Sequence, residues 1–436
     1  MRIFPFQKEP LDVGISIRNH NLYLQDCCNF ENKINSHGVH GDTCLASLKY
    51  FKPTECTNID YMHSILEGVV KRFFKFWFEE TVYNEDKFDF SLKKHINEIN
   101  RRLSIIRVPS FIPTTPRSIT DYKIWRAKEF LTFLIYYALP IFYDLMDSLF
   151  LINLTKLVVA TEVLLQKEIL KADLIHVQQI LKAFVCEVEQ LYPPNIMLSG
   201  MHELLHIVDC TISFGPINYV NCFQFEEINR KIVSLINCFD LVGVEFMMNF
   251  SILQSLKMFT ESCTSSQKFN KFIEKRNIVK TSNKKRVKKK ECVLKGLTSL
   301  TDDQFKRVSE NLNVDVIDRS EMQSCKRLKF DGALYTTTKN RSKRADYCVR
   351  ANTLYGLINE FFVIKNEIYV LMQRVDHLFS PFYDENNPKI QSNTFLSNIT
   401  DDLFFAKLKE IKKVALINIS NELCFVSDFS MSHLFI

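Results

Sequence analysis

The sequence has 13 cysteines but no Cys-x-x-Cys pair, and no apolar leader follows Met1. RIFPFQKEP, directly after Met1, offers neither a hydrophobic stretch nor a small-residue cleavage site. A secreted, disulfide-stapled framework is therefore not expected. Reduced, mostly buried thiols in a nuclear or cytosolic protein are. Long hydrophobic runs are also missing. The most apolar stretch, 130–143, contains Pro140 and is followed by Asp144 and Asp147. It is too short to span a bilayer and predicts a buried helix, with no membrane partner. No internal repeat is visible. Glycine is scarce (10) while phenylalanine is abundant (37). With many Lys, Asn and Ile, this reflects A/T-rich coding and carries no functional meaning.

The chain has 436 residues, 46% of them apolar, which is enough for two or three domains with a sizeable core. The net charge of +6 is compatible with nucleic acid, but its location says more than its size. Residues 271–290 hold ten Lys or Arg and one acid.

Residues 1–58 have weak periodicity and read as irregular structure with short strands. Residues 59–78 predict an amphipathic helix. Met62, Ile65, Leu66, Val69, Phe73, Phe76 and Trp77 recur at three and four, with Lys71, Arg72 and Lys75 largely on the other side. A second helix is predicted over 89–102, then a loop broken by Pro109, Pro113 and Pro116. Ser118 or Thr120 is expected to cap a helix through Trp125 to Leu139. Helix pairs follow over 142–192 until Pro193 and Pro194. Further helices are predicted over 201–210, 224–235 and 246–259. Residues 264–345 read as a basic, disordered linker. Beyond Asp346 short alternating runs predict strands, with turns at Tyr355-Gly356 and Lys365-Asn366. The expected fold class is mainly α with a small C-terminal β barrel over 346–436.

Four segments occur in order. The first is HGVHGDTCLASL followed by NIDYMHSILEGVVKRFFKFWF, with Asp60, Met62, His63, Gly68, Val69, Val70 and Lys71. The second is PRSITDYKIWRAKEFLTFLIYYALPIF, with Trp125, Ala127 and Glu129. The third is MHELLHIVD, with His202. The fourth is FGPINYVNCFQFEEINRKI, with Phe225, Glu226 and Asn229. Each is weak alone. Together, over residues 1–260, they resemble the transposase domain of CACTA-type DNA elements.

The resemblance implies a partial RNase H-like core with a large all-helical insertion, 1–58 belonging to the core and 59–263 to the insertion and the late catalytic helix. In such enzymes three carboxylates hold two Mg²⁺ ions that activate water or a 3′-hydroxyl for attack on a phosphodiester. Glu226 matches the last carboxylate. Arg230 stands where the family usually has Gly. In the family the two early Asp residues, and a Cys-x-x-Cys, precede the strand that RIFPF resembles, and this sequence starts at that strand. One carboxylate cannot hold two Mg²⁺ ions, so the chain alone is expected not to cut DNA. A core lacking its first strands is also expected to leave little sheet before residue 340 and to strip the Glu226 helix of its packing face.

Asp60 and His63 lie at i, i+3, and His202 and His206 at i, i+4 on one helical face. By analogy with the related antigen-receptor recombinase, these four could hold one structural Zn²⁺; the plainer reading is a hydrogen-bonded cluster. Cys27, Cys28, Cys44 and Cys56 with His37 and His40 are spaced too irregularly for a zinc knuckle. Trp125 reads as core, with stacking on a flipped base as the alternative. Lys284, Lys285, Arg286, Lys288, Lys289 and Lys290 fit a nuclear import signal or a phosphate-binding arm, or a solvated linker.

The functional expectation is a nuclear, transposase-derived protein. Its partners would be DNA, through sequence-independent phosphate contacts, and full-length transposase, with no small-molecule substrate. The alternatives are a non-enzymatic nuclear interaction module, or an active transposase whose N-terminal half is encoded upstream.

Overall fold

The computed structural model describes residue 6 and residues 19–32, 39–41, 43–79, 89–237, 240–262, 292–312, 319–339, 344–365, 367–384, 387–420 and 424–429. The chain forms two compact units. The first comprises 1–220, 296–327 and 336–436; the second comprises 221–295 and 328–335.

In chain order the helices begin with α1 (His20–Glu31) and α2 (Pro53–Cys56). The residues described in 1–58 include no strand, contrary to expectation. The helix expected over 59–78 forms as a π-helical stretch, Met62–Val70, running directly into α3 (Lys71–Phe78). Its apolar stripe is the core: Met62, Leu66 and Phe76 are fully buried, as are Ile65, Val69, Phe73 and Trp77 to within 2%. Gly68 permits the π geometry, because a Cβ there would lie 2.8 Å from the His63 carbonyl oxygen.

Next come α4 (Ile96–Ile105), α5 (Ala127–Thr132), a π turn (Phe133–Tyr137) and α6 (Ala138–Phe142). Ser118 does accept a capping bond from the Thr120 amide, but it opens only a short 3-10 turn, Ile119–Ile124, before α5. The stretch 130–143 is buried helix, as expected. Then follow α7 (Ser148–Leu164) and α8 (Lys171–Leu191), which ends at the two prolines. The single helix expected over 201–210 is split into α9 (Ser199–Leu204) and α10 (Ile207–Phe214).

Helix α7 is buried almost all round, so its polar side chains need internal partners. Thr155 and Thr161 donate to the Leu151 and Leu157 carbonyls at 2.8 and 2.7 Å. Asn153 and Lys156 both bind Glu187 of α8. Glu162 accepts from the Asn393 side chain at 2.8 Å and from Ser392 at 3.4 Å.

Helices α11 (Phe223–Val233) and α12 (Val242–Ser262) belong to the second unit. No residue of α11 is buried. Phe225, Val233, Leu241, Met248 and Met258 are all more than 60% exposed.

The segment expected as a disordered linker is folded in its described parts. It holds β1 (Val293–Lys295), β2 (Thr298–Ser299), helix α13 (Asp302–Leu312), β3 (Met322–Cys325), β4 (Arg327–Phe330) and β5 (Ala333–Thr336). Composition misleads here because α13 needs few apolar residues. Val308 is fully buried against Leu300, Met322, Phe362, Ile364 and Leu371. β4 and β5 turn at Asp331-Gly332, both at positive φ (47° and 80°), the geometry that joins hairpin strands. With β1 they make a three-stranded sheet.

The remaining strands are β6 (Cys348–Ala351), β7 (Leu354–Ile364), β8 (Glu367–Phe379), β9 (Tyr383–Asp384), β10 (Asn387–Gln391), β11 (Thr394–Lys407), β12 (Ile411–Lys413), β13 (Ala415–Asn418) and β14 (Cys424–Ser427). β9 and β10 pair with each other as a separate two-stranded sheet; the others pair antiparallel in the order β12-β6-β7-β8-β11-β14-β13, with β3 also on β7 and β2 on β3. The expected barrel does not close. Its two edge strands are joined through Val414, whose amide reaches the Cys348 carbonyl, and not by a shared ladder. The fold is thus mixed α plus β.

The turn expected at Tyr355-Gly356 is absent: β7 runs straight through it, and the chain reverses at Asn352 (φ 52°). Gly356 serves close packing instead. A Cβ there would meet Met372 Cβ at 3.0 Å and the Gln373 carbonyl oxygen at 3.1 Å. The turn at Lys365 does form, with φ 49°.

Candidate functional site

Asp60 precedes the π-helical stretch and holds His63. Its Oδ2 accepts from the His63 amide at 3.2 Å and lies 2.6 Å from His63 Nδ1. A carboxylate oxygen accepts, so in this contact the His63 ring nitrogen is the donor. The His63 side chain is 58% exposed and can be approached from solvent. Tyr61 is buried beside it; burial, and secondarily the Asp60 charge, push its phenol well above the ordinary range.

His202 and His206 meet across the α9–α10 junction, with Nε2 atoms 3.3 Å apart and rings 70° to one another. Burial, then the neighbouring His206, lowers the pKa of His202, which favours the neutral ligand form. A tetrahedral zinc ion with bonds of about 2.0–2.1 Å separates two imidazole nitrogens by about 3.4 Å. The histidine pair has that spacing, which is also the spacing of a hydrogen bond between the two rings. Among the described residues, no group of three or more ligand atoms within 4.8 Å of one another joins His202 or His206 to Asp60 and His63.

Glu226 sits in the first turn of α11, exposed. The adjoining Glu227 is bound by Arg230 at 2.7 Å and by Lys231 at 3.7 Å. The Arg230 hydrogen bond holds the Glu227 carboxyl down at about 2. Among the described residues Glu226 belongs to no group of three potential metal ligands. Those residues do not fit a two-Mg²⁺ centre, which needs several bridging acids.

The run from Lys284 to Lys290 lies outside the described residues. Trp125 is core, 6% exposed and packed on Phe74 and Phe130 with centroids 5.3 and 5.5 Å away. The described cysteines are free thiols; Cys27 is buried, while Cys28, Cys44 and Cys56 are exposed. Among the described residues no helix is long and apolar enough to cross a membrane.

One feature escaped the sequence reading. Lys71, Arg72 and Lys75, placed there largely on the side of the helix away from its apolar stripe, line a cleft of about 410 Å³ with Lys123 and with Ser199 and Gly200 of α9. Only the packing of α9 on the π-helical stretch creates it. Gly200 permits that approach, since a Cβ there would lie 3.2 Å from the Ser64 carbonyl oxygen and 3.6 Å from Gly68 Cα.

Comparison of the chain with protein-family models, with curated proteins and with solved structures finds no match.

Proposed function

We propose that this chain derives from a CACTA-type DNA transposase and that, by itself, it binds DNA in the nucleus without cutting it. The observation that carries this reading is the order of the four motifs together with the state of the last: Glu226 stands on a helix with no buried residue. That is the condition expected of a catalytic helix whose supporting strands lie elsewhere, in another part of the protein or in a full-length transposase partner. The helices preceding α11 correspond in this reading to the insertion of an RNase H-like core. Mg²⁺ is the metal of that ancestry, and Glu226 alone gives it too few ligands. Zn²⁺, if bound, is held by His202 and His206, with Asp60–His63 as a separate hydrogen-bonded pair. Phosphate contacts by Lys284, Lys285, Arg286, Lys288, Lys289 and Lys290 would supply sequence-independent affinity, and the same run would direct nuclear import.

The test uses the full chain with supercoiled plasmid in magnesium buffer, and with labelled duplex DNA across a salt series. Binding that weakens steadily with salt, without nicking, is the expected result. Nicking that disappears in E226Q overturns the non-cleaving part. Affinity indifferent to salt overturns DNA binding and favours the second reading, a nuclear protein-interaction module. The exposed apolar residues of α11 and α12, such as Phe225 at 66% and Met258 at 70%, favour that alternative.

A further inference from the structure

We infer that the cleft beside α3 is a phosphate-binding site. This deepens the DNA-binding reading above, assigning phosphate contacts to folded residues separate from the basic run at 284–290. The cleft is lined by four cations, Lys71, Arg72, Lys75 and Lys123, and by two carboxylates, Glu67 and Glu79. Glu79 is already engaged: it binds Lys123 at 2.8 Å and accepts from the Tyr122 hydroxyl at 2.5 Å. Among the described residues neither Lys71 nor Arg72 has a carboxylate partner.

Arg72 is held in place before any ligand arrives. Its Nη2 donates to the Asn195 carbonyl at 2.8 Å, and its guanidinium lies over the Phe76 ring, 5.0 Å from the centroid. A planar guanidinium fixed this way loses little freedom on binding an anion. Lys71, one residue earlier, supplies a second uncompensated charge at the same mouth. The walls carrying them are rigid, because α3 is anchored through buried Phe73, Phe76 and Trp77. Apolar Val69, Ile196, Leu198 and Met201 also line the cleft, so a phosphate bound there would face low-dielectric surface as well as the cations. The phosphate could belong to a nucleic-acid strand or to a free phosphorylated compound; the recognition chemistry is shared.

The experiment compares the full wild-type chain with K71E, with the milder K71Q, and with a variant neutralised at Lys284, Lys285, Arg286, Lys288, Lys289 and Lys290. Anisotropy of a labelled single-stranded oligonucleotide is followed across salt, and melting temperature is followed with inorganic pyrophosphate. The expected result is DNA affinity reduced by about tenfold in K71E, less in K71Q, with the salt slope lower by about one. That outcome identifies a strand phosphate as the ligand. Unchanged DNA binding, with pyrophosphate raising the melting temperature of wild type but not of K71E, supports the site with a free phosphorylated ligand. If DNA binding falls only in the 284–290 variant and pyrophosphate stabilises nothing, the cleft inference is overturned while the DNA-binding reading stands. If no protein binds DNA but pyrophosphate stabilisation is lost in K71E, the cleft stands and the DNA-binding reading falls.

Discussion

The indole N–H of Trp77 donates to the hydroxyl of Tyr192 across 3.0 Å, in a site where both side chains are at most 2% exposed. The bond ties α3 to the end of α8, at the centre of an aromatic cluster that includes Phe73 and Phe150. Replacing Tyr192 by Phe keeps the ring and removes the acceptor, leaving a buried donor unsatisfied. A loss of about 1–3 kcal/mol in urea unfolding is expected. An unchanged midpoint would show that the bond contributes nothing.

Glu162 should make stability depend on pH. Burial raises its carboxyl pKa from an ordinary 4.5 to about 7, against the opposing hydrogen bonds from Asn393 and Ser392. As pH rises from the unfolded value toward 7, the unfolded chain releases a proton that the folded chain keeps. This group therefore disfavours folding progressively across that window, on the order of 1–3 kcal/mol in total, and adds no further change above it. Thermal melts of wild type and E162Q between pH 4.5 and 8 should diverge, with the wild type losing more. Parallel curves would remove the assignment.

Asp346 and Lys413 form a buried ion pair at 2.6 Å, with Asp346 fully enclosed and Lys413 only 8% exposed. The Ser110 amide also donates to Asp346, at 2.7 Å, so the pair clamps the loop after α4 to the sheet. D346A should cost about 3–5 kcal/mol, because it strands a buried cation, whereas D346L with K413M should recover much of that loss. A double-mutant cycle by chemical denaturation decides between this and a merely local contact, for which the two single losses would add.

The histidine pair makes a metal prediction. Zn²⁺ should raise the melting temperature of the chain, and H202A or H206A should each abolish the shift while H63A leaves it intact. A shift lost in H63A but kept in H202A would move the site to the Asp60–His63 pair.

The sequence by itself determined the helices whose apolar residues recur at three and four. The stripe from Met62 to Trp77, the buried stretch ending at Phe142 and the stop of α8 at Pro193 all follow from local periodicity and backbone chemistry. It also contained the Asp60–His63 and His202–His206 pairings through their spacing of three and four, although Asp60 lies ahead of its helix and the helix breaks between the two histidines. Asp331-Gly332 was legible too, as a hairpin turn, but was hidden within a stretch dominated by charge.

Tertiary structure alone decided the rest. Whether Gly356 turned the chain or packed beneath Met372 depended on a partner strand distant in sequence. Whether the described residues of 292–312 and 319–339 folded depended on Val308 finding Phe362 and Leu371. The cleft at Lys71 and Arg72 arose because α9, more than a hundred residues later in the chain, lies against the π-helical stretch. Side-chain periodicity reports which face of an element is apolar. It does not report what covers that face, because the covering residues come from elsewhere in the chain and local patterns do not encode their distance.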